Sequence, residues 1–173
     1  EVVEVYDRAA AEAFGLRVGQ ITVLIHSGSR GLGHQVCTDY VQRLQRGMRQ
    51  YGIVVPDREL VCAPFSSGDG QDYWGAMQAA ANYAWCNRQL LAYRVRQTFA
   101  EVLKGKVKDA SLRQVYDVAH NIAKIEEHQV GGRAIKVCVH RKGATRAFPA
   151  GSPALPPAYR SVGQPVIIPG SMG

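Results

Sequence analysis

Two histidines stand where an apolar run gives way to a polar turn: His26 follows Ile21–Ile25, and His120 follows Val115–Ala119. Imidazole nitrogen is a common ligand of divalent metals, so a pair in matching positions points to a shared metal site. Zinc suits the nitrogens; manganese suits them if carboxylate and phosphate oxygens complete the shell. Beside His26 the chain reads SGSRGLG, with Gly28, Gly31 and Gly33 around Arg30. Glycine lets backbone N–H groups approach an anion closely, and guanidinium binds phosphate oxygens in pairs. A metal-type ligand, an anion cradle and a guanidinium so close together suggest phosphate chemistry. A second cationic cluster, HRKGATR, begins at His140 and sets Arg141, Lys142 and Arg146 around Gly143. It suits phosphate contacts, the plain alternative being a solvated basic face.

Other signals exclude or rank lower. The glycine loop is followed by no Gly-Lys-Ser/Thr and does not have G-x-G-x-x-G spacing, so neither a P-loop nor a dinucleotide fingerprint is present. Its strand–loop–helix setting could still aim a helix N-terminus at an anion. His34 reads as a capping or packing residue, and His128, beside Glu126 and Glu127, as structural. The terminal PGSMG offers a tight turn with the Ser171 hydroxyl, a weak nucleotide-contact signal by itself.

The charge is unevenly distributed. Net charge is +7, from 21 Lys/Arg and 14 Asp/Glu, yet no acidic residue follows Glu127 while six basic ones do. A one-signed segment of this kind attracts polyanions. Four scattered cysteines (Cys37, Cys62, Cys86, Cys138) form no C-x-x-C pair, so reduced, mostly buried thiols in a cytoplasmic protein are expected. No apolar run approaches the ~20 residues of a membrane span, and no export leader is evident.

The elements that must position these groups follow from periodicity and punctuation. An amphipathic helix is expected over Glu1–Phe14, stopped by Gly15, then a buried strand at Ile21–Ile25. A second helix is expected over Gln35–Tyr51, stopped by Gly52. A strand-like piece at Leu60–Ala63 leads into the turn-rich Pro64–Gly70. The longest element, roughly Gln71 to Leu103, is an Ala-rich helix unbroken by proline and reads as a scaffold spine. Val115–Ala119 reads as a short strand, Ala123–Gln129 and Ala134–His140 as a hairpin around VGGR, and Pro165–Ile168 as a last short strand. The expected class is α+β, mixed sheets with packed helices including the one long helix.

Taken together, HSGSRGLGHQ at His26, YDVAHNIAKIEEH at Tyr116, VHRKGATRAFPAG at Val139 and GQPVIIPGSMG at Gly163 closely resemble the RtcB family of RNA ligases. SSGDGQDYWGAMQAAANYAWCNRQ resembles that family's central helix, so the likeness covers nearly the whole chain in order. The resemblance implies a GTP- and manganese-dependent ligase of tRNA splicing or RNA repair. Such an enzyme joins RNA 2′,3′-cyclic phosphate or 3′-phosphate ends to 5′-hydroxyl ends through a guanylylated histidine. It implies His26 and His120 as manganese ligands. It assigns guanylate contacts to His120, Asn121, Pro169, Gly170, Ser171 and Met172, and RNA or phosphate contacts to Arg30 and Lys142. RNA, GTP and the activating protein archease are the implied partners, with no membrane.

Several family elements are not in this sequence: the upstream aspartate and cysteine that bind manganese, the Asn-His-Phe motif, and the guanylylated histidine of His-Gly-Ala-Gly-Arg. Residues 1–173 are therefore expected to be the central segment of a single RtcB-like catalytic domain, truncated at both ends and without guanylylation activity alone. Two other readings compete: a non-catalytic RNA- or nucleotide-binding remnant built on the basic last quarter, and a metal-dependent phosphohydrolase using His26 and His120. The second lacks the expected Asp/Glu cluster.

Overall fold

Alanine-rich sequence without proline is strong helix former, and the longest such run folds as expected. The computed structural model describes residues 1–57 and 60–167, which fall into two compact units, Ile25–Ser111 and Glu1–Leu24 with Leu112–Gly173.

In the unit Ile25–Ser111 two helices pack together: α2 over Arg30–Gly47 and the 35-residue α3 over Gly68–Val102. (The short α1, Arg8–Phe14, belongs to the other unit.) Ser67 caps α3, its Oγ accepting from the Gly70 N–H at 3.1 Å and donating to the Pro64 carbonyl at 2.7 Å. α2 tightens into a 3-10 turn at Met48–Tyr51, and Gly52 stops it with a left-handed φ of 66°. Among the described residues of this unit Leu44 and Ala80 are the buried apolar ones, and a methyl group on Gly33 of α2 would run into the Ser29 side chain on the way to Ala80. Arg43 bridges from α2 to α3, donating to Asp69 at 2.9 Å and to Asp72 at 2.7 Å. Asp69 also accepts from Gln50 and Tyr51, so one carboxylate joins the 3-10 turn to the start of α3.

In the other unit, α1 covers only Arg8–Phe14. The expected helix is seven residues shorter at its N-terminus because Asp7 caps it, accepting from the Ala10 N–H at 3.0 Å. Val2 is meanwhile drawn into backbone bonds with Gln20 and Gly19. The hairpin forms as anticipated, β1 over Asn121–Val130 and β2 over Arg133–Lys142, antiparallel, with Asn121 opposite Lys142 and Val130 opposite Arg133. Gly131 and Gly132 at φ 57° and 78° make the two-residue turn whose twist suits a hairpin. Phe14 meets Tyr159 edge to face at 5.1 Å, the Arg113 guanidinium donates to the Phe14 carbonyl, and Leu155 is buried nearby in sequence.

Four expected strands differ. Ile21–Ile25 is not a strand and is not buried: Ile21 and Leu24 are 59% and 67% exposed. Leu60–Ala63, Val115–Ala119 and residues 165–167 likewise form no strand, Ile168 lying outside the described residues. An apolar run becomes a strand only when a neighbour supplies ladder hydrogen bonds, and among the described residues only the hairpin carries its own neighbour. The α+β class holds, with one two-stranded sheet among the described residues. The cysteines are free thiols, but Cys37, Cys62 and Cys86 are exposed rather than buried, and Cys138 is half-buried. No helix is long and apolar enough to cross a membrane among the described residues.

Candidate functional site

The glycine loop after His26 is shorter than its sequence suggests, because α2 begins at Arg30 and takes Gly31 and Gly33 into its first turns. What remains, Ser27–Ser29, is held from α3. Asn87 Nδ2 donates to Ser27 Oγ at 3.0 Å and to the Gly28 carbonyl at 2.9 Å. Arg88 adds a longer contact from Nη1 to the Ser27 carbonyl at 3.4 Å, its guanidinium lying 4.3 Å over the Trp85 ring. Immediately beyond, Arg30 sits at φ 52°, the one non-glycine residue with positive φ among the described residues. A side chain there costs on the order of 1–2 kcal/mol and persists where surrounding contacts over-determine the backbone. The α2 N-terminus, with its unpaired first-turn N–H groups and positive dipole end, follows directly.

His120 lies at a bend immediately before β1, and Tyr159 fixes its approach by donating from its hydroxyl to the Val115 carbonyl at 2.8 Å. Asn121 turns its carboxamide oxygen to the Gly143 N–H at 2.9 Å, tying the start of β1 to the turn that follows Lys142. Asn121 and Lys142 are also register partners, so the structure brings these two expected site residues together and sets His120 beside them in the chain.

The cationic cluster divides by environment. Arg141 gives two hydrogen bonds to Glu126, at 2.7 and 3.0 Å, and both side chains are largely covered. This guanidinium holds the Glu126 carboxyl down to about 2, with His128 Nε2 at 3.2 Å assisting. Arg141 is thus a structural cation rather than a phosphate contact. Arg146 stacks 4.7 Å over Phe148, and its backbone carbonyl accepts from Gln164. Lys142 is exposed and has no ion-pair partner among the described residues. His128 lies against Glu126 on an open part of the hairpin, His34 and His140 are exposed, and the α2 cap position is Ser29 rather than His34.

His26 and Arg30 belong to one unit; His120, Asn121 and Lys142 belong to the other. Pro169, Gly170, Ser171 and Met172 lie outside the described residues. No group of three or more His, Cys, Asp or Glu that could hold a metal ion occurs among the described residues. The donors present therefore do not by themselves fit a complete metal shell, which needs at least one further ligand. Asn87 and Arg88 hold the Ser27–Ser29 segment, and periodicity does not single them out. The available signal was an asparagine inside an otherwise alanine-rich helix, where it is intrinsically disfavoured.

The whole chain, residues 1–173, matches the family model described as tRNA-splicing ligase RtcB. It is 59% identical over 170 residues to the tRNA-splicing ligase RtcB of Thermococcus kodakarensis, covering 98% of this chain and 35% of that protein. The corresponding protein of Archaeoglobus fulgidus is 58% identical over 170 residues with the same coverage. That of Methanocaldococcus jannaschii is 57% identical over 172 residues, 99% of this chain and 18% of that protein. The chain thus spans about a third of the length of the first two relatives and less of the third. With similarity running from the first residue to the last, and through both the Arg30 loop and the Lys142 turn, this chain belongs to the RtcB family of tRNA-splicing ligases.

Proposed function

We propose that these residues form the central part of a GTP- and manganese-dependent RNA ligase that acts in tRNA splicing or RNA repair. It joins 2′,3′-cyclic phosphate or 3′-phosphate ends to 5′-hydroxyl ends, using a guanylylated histidine that lies outside residues 1–173. The observation that carries this reading is the end-to-end match to proteins named tRNA-splicing ligases at 57–59% identity. In this reading the chain's own residues bind and orient. His26 and His120 are each assigned as an imidazole ligand for manganese, which would neutralise phosphoryl oxygens when bound. Arg30 at the head of α2 and Lys142 on the turn fixed by Asn121 hold RNA or triphosphate oxygens by charge-assisted hydrogen bonds. Asn121 uses its oxygen on Gly143, so a guanylate contact would fall to its NH2 group. Residues 169–172 complete the guanylate contacts. RNA and GTP are the partners, with archease as the activating protein in the cytoplasm.

The test is adduct formation with GTP and Mn²⁺, followed by intact-mass measurement. The full-length ligase gains one covalent GMP and joins a 3′-phosphate RNA to a 5′-hydroxyl RNA, whereas residues 1–173 gain none. A GMP adduct on residues 1–173 alone would overturn the placement of the nucleophile, and a full-length protein that joins no RNA would overturn the reading. The basic, acid-free stretch after Glu127 favours one other outcome, a purely RNA-binding module. That alternative requires salt-sensitive RNA binding indifferent to chelator, in a full-length protein that forms no adduct.

A further inference from the structure

We infer that Asn87 is a positioning residue for the phosphate-contacting loop: from α3 its carboxamide clamps Ser27 and Gly28, and the clamp holds Arg30 in its left-handed backbone conformation. The inference rests on the reading of Arg30 as a phosphate contact and adds a residue that acts through it.

Two local choices here run against intrinsic preference. Asn87 stands in the middle of a 35-residue helix, where alanine would serve the helix better, and Arg30 adopts a φ of 52°. Violations of local preference that coincide in space mark places where function sets the sequence. The geometry joins the two. Both hydrogens of the Asn87 amide are directed at the loop, one to the Ser27 hydroxyl at 3.0 Å and one to the Gly28 carbonyl at 2.9 Å. The bonds span about sixty positions in sequence and are partly buried, so they fix the loop to an element with no break along its length. Two residues after Gly28 the backbone must pass through Ser29 into the left-handed Arg30 and then wind as α2. Fixing the Gly28 carbonyl leaves that passage little freedom, and so determines where the Arg30 guanidinium departs from the chain. His26, one residue before Ser27, is constrained by the same clamp.

The chemistry of the clamp is selective. Aspartate has the shape of asparagine but no N–H, and would set a carboxylate against the Gly28 carbonyl. Alanine deletes the clamp while improving helix propensity. A merely structural role therefore predicts that Asn87→Ala is neutral for function, whereas a positioning role predicts loss of function without loss of stability.

The experiment compares wild type, Asn87→Ala and Asn87→Asp in the full-length ligase, supplied with GTP, Mn²⁺ and RNA bearing 3′-phosphate and 5′-hydroxyl ends. Steady-state joining, melting temperature and amide hydrogen exchange are recorded for each. Both variants are expected to lose about 10- to 100-fold in joining kcat/KM, as misplacement of a positioned group by about 1 Å does. Exchange at the amides of Gly28–Gly33 is expected to rise by about 10-fold or more, with the α3 amides unchanged and the Asn87→Ala melting temperature not lowered. Wild-type kcat/KM in both variants would overturn the inference, as would unchanged loop exchange. A full-length wild type that joins no RNA would instead sink the ligase reading, and loop exchange would still decide whether the clamp exists.

Discussion

Glu126 accepts both arms of the Arg141 guanidinium, the two side chains largely covering each other, and its carboxyl is held at about 2 against an ordinary value of 4.5. A depressed folded-state value stabilises the fold above the unfolded value and loses that contribution as pH falls from about 4.5 towards 2. Arg141→Ala leaves a covered carboxylate without its main partner, and is expected to destabilise the unit by about 1–3 kcal/mol at pH 7. The difference between wild type and variant should shrink as pH drops below 4.5, since protonated Glu126 has nothing to gain from a guanidinium. Thermal unfolding of both proteins from pH 7 to 3 checks this; a difference independent of pH would mean that Arg141 acts through packing of its stem.

At the scale of elements, the start of α3 shows how local chemistry sets the spine. Ser67→Ala removes the acceptor for the Gly70 N–H and the donor to Pro64, and should cost about 1 kcal/mol. Gly70→Ala gains helix propensity, yet its new methyl would collide with the Pro64 carbonyl and come within 2.9 Å of the Phe65 carbonyl. Backbone atoms in a capped turn cannot swing aside like a side chain, so the collision prevails and about 1–3 kcal/mol of stability is lost. Urea unfolding separates the two effects, and a Gly70→Ala protein more stable than wild type would show that the turn relaxes. Which elements the sequence disclosed follows the same logic. α3 and the hairpin were legible because each carries its own hydrogen-bond partners, along the helix or across a two-residue turn. Ile21–Ile25 reads as a strand yet forms none, because β-branched composition describes a willingness to pair, while pairing depends on a neighbour. His26, Arg30 and Lys142 could be singled out by residue type, but the grip of Asn87 on Ser27 and Gly28 depends on tertiary contact and leaves almost no periodic trace.

Across the whole molecule the excess positive charge is concentrated after Glu127, but its members are not equivalent. Arg141 is spent on Glu126 and Arg146 stacks on Phe148, whereas Arg133, Lys136 and Lys142 stand exposed along β2. If RNA is the polyanion that this charge serves, the logarithm of the affinity should fall linearly with the logarithm of salt concentration. For a single strand the slope is about −0.7 for each phosphate neutralised. Lys142→Gln is expected to weaken binding of a single-stranded RNA and to make the slope shallower by about 0.7, the signature of one lost phosphate contact. Arg141→Ala should lower stability yet leave the slope unchanged, because its charge is already neutralised within the hairpin. Fluorescence anisotropy titrations of the three proteins at several salt concentrations make the comparison. Equal loss of slope in both variants would show that net charge alone drives binding; loss confined to Lys142 would show that the turn tied down by Asn121 presents a specific contact.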